Sequence, residues 1–292
     1  MCYIRAMSTP EAPLLEQLSA NSLPYRDPLA VLDWRTLTLD RYWLPPEAVS
    51  LNGLTEFEAL SDTARMRLSQ YELIAFAQAG IALERVFLES TARRLKHAEP
   101  NAEYAFLLHE LREEAGHSLM FLRLAGASGL DAPDWRKALP PFARPVSRLL
   151  RNDVLYWFMI VVAQDIPDKL HRFVRRQAGP ETSGFVRHMV SLHMRDQSRH
   201  LAYARRSLEL AMRRPGRGVV RLLPLVFDLM FNRFVRAYFW PRAELYERAG
   251  LGDGRIWRRM ALRNAQRREF VLKLVAPTMR LLSQHGIRVR LR

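Results

Sequence analysis

Four long stretches of this chain place apolar residues at helical spacing, and each carries an acid, an imidazole or an amide within its apolar stripe. Side chains three or four residues apart share one face of a helix, so these polar groups are predicted to face the core. The inward polar residues are Glu84 in the first stretch, Glu114 and His117 in the second, Asp165 in the third, and His193, Gln197 and His200 in the fourth. Any fold of this chain has to bury these groups and balance their charges.

The ends of the four helices follow from capping residues, glycines and prolines. Helices are predicted over 61–98, from 101 to the glycines at 126–129, over 147–177 and from 182 or 183 to 213, with a capping box of Thr55 and Glu58 before the first. Residues 1–54 contain six prolines and are predicted to form an extended arm over the main body. Further helices follow after 214, and no segment shows sustained period-two alternation. The predicted class is therefore all-α.

Composition narrows the class of protein. The 292 residues are 49% hydrophobic and 26% charged, which excludes a mainly disordered chain. The longest uncharged apolar run, 154–163, is far shorter than the roughly 20 residues that a membrane-spanning helix needs, so no membrane span is expected. The single cysteine, Cys2, excludes an internal disulfide and a cysteine-based metal site. With no secretory signal in the first residues, the expected location is the cytoplasm.

The net charge of +15 comes almost entirely from arginine. Such a charge attracts anionic substrates, acidic proteins or nucleic acid, but arginines spread over solvated helix faces explain it equally well. No nucleic-acid-binding motif accompanies the charge, so no nucleic-acid partner is expected.

Buried carboxylates on three neighbouring helices need a positive partner, because an unpaired buried charge costs several kcal/mol. The stripe positions hold no arginine, whereas a metal pair accepts carboxylates and neutral imidazoles together. Di-iron and di-manganese bundles take one acid from each of two helices and a Glu-x-x-His motif from each of the other two. The order Glu84, Glu114-x-x-His117, Asp165, Gln197-x-x-His200 follows this pattern, with 30 residues between the members of the first pair and 32 between Asp165 and Gln197. The alternative is a set of separately satisfied core residues.

Another acid precedes each motif, Glu113 in the first and Asp196 in the second. Metal-bound histidines usually donate their second ring N–H to a carboxylate or carbonyl. We therefore predict that Glu113 pairs with His200 and Asp196 with His117. The alternative is that both acids lie on the surface beside Arg112 and Arg195.

With these residues, the chain resembles the p-aminobenzoate N-oxygenase (AurF-like) family of ferritin-like di-iron enzymes. That family repeats a glutamate followed about thirty residues later by Asp-Glu-x-x-His, with an additional histidine one turn before the second motif. Residues 60–210 carry the resemblance, and His193 matches the additional histidine as a further metal ligand. The chain departs from the pattern with Glu113 for Asp, Asp165 for Glu and, most seriously, Gln197 for Glu. A neutral amide cannot bridge two metals as a carboxylate does, and Asp196 is an alternative ligand.

The resemblance implies a ferritin-like four-helix bundle with a metal-binding core at 61–214, within one helical domain, 55–292, that adds C-terminal helices. It implies two iron ions, with manganese or a mixed Mn/Fe pair as alternatives, and O2 as co-substrate. The implied reaction is N-oxygenation of an amine in secondary metabolism, on an arylamine or a carrier-protein-bound substrate, with an external reductant. The oligomeric state stays open, a homodimer included.

Two other functions share these sequence features. One is a related di-metal oxidase or hydroxylase acting on carbon. The other is a bundle with an impaired metal site that acts as an interaction protein through an exposed basic ridge of Arg255, Arg259, Arg263 and Arg267. For an anionic substrate, Arg233, Arg236 and Arg263 are candidate carboxylate clamps.

Overall fold

In the computed structural model the described residues are 11–96, 99–131, 133, 152–177, 179–213 and 217–292, with side chains of the last range from 224. Within them the structure is helical, with one isolated bridge between Tyr42 and Thr182. The helices are α1 (Ala12–Asn21), α2 (Pro28–Val31), α3 (Thr55–Glu58), α4 (Asp62–Leu95), α5 (Ala102–Ala127), α6 (Asp153–Gln177), α7 (Gly184–Met212), α8 (Arg217–Phe239), α9 (Ala243–Arg248), α10 (Gly254–Arg263) and α11 (Ala265–Gln284). The all-α prediction is confirmed. None of the described helices is both long and apolar enough to cross a bilayer.

Helices α4 to α7 form two packed pairs, α4 with α5 and α6 with α7. Their starts agree with the capping residues in the sequence. The side chains of Ser61, Asn101 and Ser183 accept hydrogen bonds from the backbone N–H groups of Ala64, Tyr104 and Val186, as N-cap residues do. The predicted start of the third helix near 147 and most of the proline-rich connection before it lie outside the described residues.

The described residues before α4, from Glu11 onward, pack into the core and do not form an extended arm. Short helices α1 and α2 pack against α5, and Trp43, Leu44 and Leu51 are fully buried. The close approach to α5 depends on Gly116, where a Cβ atom would lie 2.4 Å from the Tyr25 hydroxyl. The predicted capping box is wrong, because Thr55 is the first residue of α3 and no side chain caps this helix.

The C-terminal helices close one side of the bundle, with α11 against α6 and α8 against α6. The predicted basic ridge is wrong at Arg267, which is fully buried and donates hydrogen bonds to the carbonyls of Phe239 and Ala48. The predicted ridge belongs to two helices, because Asn264 lies between α10 and α11 and its side chain caps the start of α11. Arg255, Arg259 and Arg263 are exposed.

Replacing Trp43 with alanine is expected to destabilise the fold by about 3–5 kcal/mol, because the change leaves a large cavity in the core. It also removes the 2.9 Å hydrogen bond from the indole Nε1 to the Thr38 carbonyl. Denaturant unfolding of the wild type, Trp43→Ala and the control Trp43→Phe measures the loss, which should be smaller for phenylalanine. Equal stability of the three proteins would show that the segment before α4 packs loosely.

Candidate metal centre

Three buried residues on three helices converge in the interior of the bundle. Glu84 of α4, His117 of α5 and His193 of α7 each offer one ligand atom, and these atoms lie within 4.8 Å of one another. The rings of His117 and His193 have centroids 4.5 Å apart. An oxygen and two nitrogens at this spacing, shielded from water, form a donor set that suits iron or manganese.

Glu114 joins this group to the second predicted motif. Its Oε1 lies 2.8 Å from Nδ1 of His200 and accepts a 3.2 Å hydrogen bond from Nε2 of Gln197, while Oε2 lies 3.4 Å from Nδ1 of His117. The amide oxygen of Gln197 is buried and has no hydrogen-bond partner among the described residues. The structure therefore brings six of the seven predicted ligands together, and one carboxylate contacts both motifs.

Asp165 is the predicted ligand that does not join them. Its Oδ1 is 2.8 Å from Nζ of Lys169 and 2.7 Å from a guanidinium nitrogen of Arg205, and its Oδ2 accepts a 2.5 Å hydrogen bond from the Thr278 hydroxyl. Helix α6 packs against both α7 and α11, and 16 of its 25 residues are buried. An inward position on such a helix does not specify which neighbour the side chain faces, and Asp165 is held by Thr278 of α11 and Arg205 of α7.

Helix α6 presents Gln164 and His171 to the centre instead. Both line an internal cavity beside Glu84, Glu114, His193 and Gln197. The Nδ1 atoms of His171 and His193 are 3.1 Å apart. The sequence analysis missed both residues, although Gln164, Pro167 and His171 recur at spacings of three and four. The helix continues through Pro167, which also lines the cavity.

The sequence predicts two pairs of an acid with a histidine, and in the structure one hydrogen bond joins each pair. Nε2 of His200 lies 2.8 Å from Glu113, and Nε2 of His117 lies 3.2 Å from Asp196. Each histidine thereby keeps Nδ1 toward Glu114. Their function in orienting metal-bound rings stays a prediction, but both acids are buried and not on the surface.

A buried arginine that the sequence does not single out connects Glu113 and Asp196. Arg199, 8% exposed, donates 2.8 Å hydrogen bonds to both Glu113 and Asp196. Its Nε donates to the Ser22 hydroxyl, at 3.0 Å, in the segment that follows α1. The spacing of three from Asp196 on α7 is the only sequence signal for it.

The direction of the pKa shift differs between the two motif histidines, His117 and His200, and the other two buried histidines, His171 and His193. Burial favours neutral rings, but the hydrogen bonds that His117 donates to the acids, to Asp196 foremost, raise the pKa of His117 to about 9, and the charge of Glu114 raises the pKa of His200. Burial lowers the pKa of His171 to about 4 and, with the charge of His117, lowers the pKa of His193. The lowered pKa values favour neutral rings at His171 and His193, and the raised pKa values favour protonated rings at His117 and His200, whose protons a bound cation would displace.

The carboxylates show the same balance. Burial opposes the ionised form of Glu114, yet the charges of His200 and His117 hold the pKa of Glu114 below its usual range. Burial, together with the charge of Glu114, raises the pKa of Glu84, which accepts a 2.5 Å hydrogen bond from the Ser118 hydroxyl. Bound protons therefore balance the negative charge of the carboxylates in this cluster. Metal cations could balance the same charge, so the donor set fits a metal centre.

The cavity beside the cluster is mainly apolar away from it. Its described lining contains no lysine or arginine. The lining residues are Leu73, Phe76, Ala77, Gly80, Leu83, Glu84, Phe87, Glu114, Phe121, Ile160, Ala163, Gln164, Pro167, His171, Met189, His193, Gln197 and Tyr238. The proposed carboxylate clamps Arg233, Arg236 and Arg263 are exposed and absent from this wall.

Comparison with known proteins gives one family and one fold. The family model described as P-aminobenzoate N-oxygenase AurF matches residues 11–286. The proteins Rv0885 of Mycobacterium tuberculosis and Mb0909 of Mycobacterium bovis are each 23% identical to this chain over 237 residues, which are 78% of this chain and 67% of theirs.

Solved structures of R2-like ligand-binding oxidase share the fold at 15% sequence identity. A mutant with an aerobically reconstituted Mn/Fe cofactor has a TM-score of 0.54, and a form with its metal cofactor after photoconversion has 0.53. Each comparison covers 94% of this chain and 93% of the other. The ferritin-like fold predicted for the chain is confirmed.

Replacing Arg199 with glutamine is expected to weaken metal binding by about 10–100-fold, the usual effect of removing a group that orients a ligand. The change leaves Glu113 and Asp196 without the cation that they share. Titration with Mn²⁺ or Fe²⁺ measures the affinity. The control is Arg195→Gln, because Arg195 contacts the same Asp196 from a side chain that is 36% exposed. Equal losses in both variants would contradict a special role for Arg199.

Replacing Gln197 with glutamate is expected to increase metal retention and to destabilise the metal-free protein. In the absence of metal, two carboxylates would face each other where Gln197 now donates to Glu114, at a cost of about 1–3 kcal/mol. Metal content and the melting temperature with and without metal test both effects. Gln197→Leu serves as the control that adds no charge. Unchanged retention and stability in Gln197→Glu would remove Gln197 from the ligand set.

Proposed function

The chain belongs to the P-aminobenzoate N-oxygenase AurF family, and we propose that it uses a di-metal centre, O2 and an external reductant to oxygenate the nitrogen of an amine. Family and fold already indicate a di-metal oxidase or oxygenase. The observation that carries the proposal is the convergence of Glu84, His117 and His193 on one buried point, with Glu114 joining His117 to His200.

Bound iron, or a Mn/Fe pair, would supply a site for O2 and pass its oxidising equivalents to the substrate. Glu84, Glu114, His117, His193, Gln197 and His200 would hold the ions. Glu113 and Asp196 would orient the rings of the two motif histidines, because each acid accepts a hydrogen bond from Nε2, so that Nδ1 faces Glu114 and the proposed metal position.

The cavity offers an amine substrate a buried amide oxygen that the metal centre does not use. Oε1 of Gln164 has no hydrogen-bond partner among the described residues, and its side chain lines the cavity. Amide oxygens accept hydrogen bonds, and an amine has N–H groups to donate. We assign Gln164 the task of accepting such a bond and directing the nitrogen toward the metal centre. The apolar wall excludes water from it.

The remainder of the substrate is proposed to be uncharged. The described wall carries no cation that could pair with a substrate carboxylate, and burying an unpaired carboxylate costs several kcal/mol. The positive charge of the chain therefore does not act inside this cavity. Aromatic side chains such as Phe76 and Phe121 favour an aromatic body.

The test is turnover by protein reconstituted anaerobically with ferrous iron and then supplied with reductant, O2 and either aniline or p-aminobenzoate. We expect N-oxygenated aniline as the product. The kcat/KM for p-aminobenzoate should be lower than that for aniline by about 10-fold or more, because the substrate carboxylate would be buried without a partner. A 10-fold difference corresponds to about 1.4 kcal/mol. The variant Glu114→Ala, which removes the carboxylate between the motifs, should lose both metal and product.

Other results of this experiment decide between functions. Products oxidised at carbon would favour a di-metal hydroxylase. Retention of almost no iron by the wild type would favour the interaction protein, and faster turnover of p-aminobenzoate would contradict the uncharged substrate.

A further inference from the structure

One buried carboxylate near the metal centre has no partner. Glu110 on α5 is 1% exposed, and neither of its side-chain oxygens makes a hydrogen bond within the described part of the chain. Unpartnered buried carboxylates are rare because loss of hydration costs several kcal/mol. A group of this kind is protonated in isolation and becomes ionised when a positive partner is bound beside it.

Its place on the helix brings Glu110 to the second half of the metal centre. Glu110 lies four residues before Glu114, so both side chains occupy one face of α5 with Cβ atoms about 6 Å apart. Glu114 in turn lies 2.8 Å from Nδ1 of His200. Burial raises the pKa of Glu110 to about 8, and the charge of His200 is the largest influence that opposes this rise. His200 has its Nδ1 toward Glu114 without the geometry of a hydrogen bond, which leaves this nitrogen available as a ligand.

Without Glu110, the metal centre has fewer carboxylates than other di-metal bundles of this kind. Bundles of this kind take four acids, one from each helix. In this chain Asp165 of the third bundle helix pairs with Lys169, Arg205 and Thr278, and Gln197 replaces the acid of the fourth. Only Glu84 and Glu114 remain to balance two divalent ions.

We propose that Glu110 supplies the missing carboxylate, as a ligand of the ion that His200 holds. This inference rests on the proposed function, since it requires a centre for two ions. Helix α5 then contributes two acids and one imidazole over two turns, and α6 contributes none. The unpaired oxygens of Glu110 acquire their partner when that ion binds, and Asp165 stays with its own cations.

The experiment compares metal content in a matched pair of variants, Glu110→Gln and Asp165→Asn, each of which removes one buried charge with little change of shape. Wild type and variants are loaded anaerobically with Mn²⁺ or Fe²⁺, desalted and assayed for metal per chain. We expect two ions in the wild type and in Asp165→Asn, and one ion in Glu110→Gln. Glu110→Asp, which keeps the charge on a shorter side chain, should restore part of the second ion.

The melting temperature of the metal-free proteins is a second measurement. Glu110→Gln should melt at or above the wild-type temperature while it binds less metal, because a neutral amide replaces a carboxyl group whose ionisation burial opposes by raising its pKa. A merely structural role for Glu110 predicts the opposite, a less stable protein with unchanged metal content.

Three results would overturn the inference. Two ions in Glu110→Gln would exclude Glu110 as a ligand, while the proposed function would stand. Loss of an ion in Asp165→Asn, with Glu110→Gln unaffected, would return the role to Asp165. A wild type that binds no metal would overturn the proposed function itself, and this inference with it.

Discussion

Charge balance inside the bundle is the constraint on which the rest of the structure depends. The acids and imidazoles of α4, α5 and α7 lie too deep for water to solvate their charges, so each ionised group requires a partner at close range. The charges of His200 and His117 favour the ionised form of Glu114 by lowering its pKa. Two divalent ions in the same place would perform that task more completely, because they accept the carboxylates and the neutral imidazoles together.

The cluster around Arg199 extends this balance to the rest of the fold. Glu113 and Asp196 each hold one motif histidine, and the same guanidinium group pairs with both acids and with Ser22. The segment before α4 is thereby connected to the ligand histidines by a chain of hydrogen bonds. We therefore expect the packing of its described residues to influence metal affinity through the orientation of these histidines.

The departures from the family pattern have a common consequence. Gln197 stands in place of a glutamate, and Asp165 faces Arg205 and Thr278 instead of the centre. Both differences reduce the negative charge at the centre. Fewer carboxylates stabilise the higher oxidation states of a metal pair less, so this centre should be harder to oxidise than one with four acids. The unpaired carboxylate of Glu110, on the face of α5 that carries Glu114, is the group in place to offset that loss.

The sequence by itself determined the helical class, the capped starts of three bundle helices and six polar residues that meet in the interior, because helical periodicity and N-cap chemistry are local. It also determined the pairs Glu113–His200 and Asp196–His117, since two equivalent motifs on packed helices exchange neighbours. Only the tertiary structure decided that Asp165 faces Arg205 and Thr278, that Gln164 and His171 face the cavity, and that Arg267 is buried. Helix α6 is buried between two sets of neighbours, and periodicity states that a face is buried without stating which neighbour covers it.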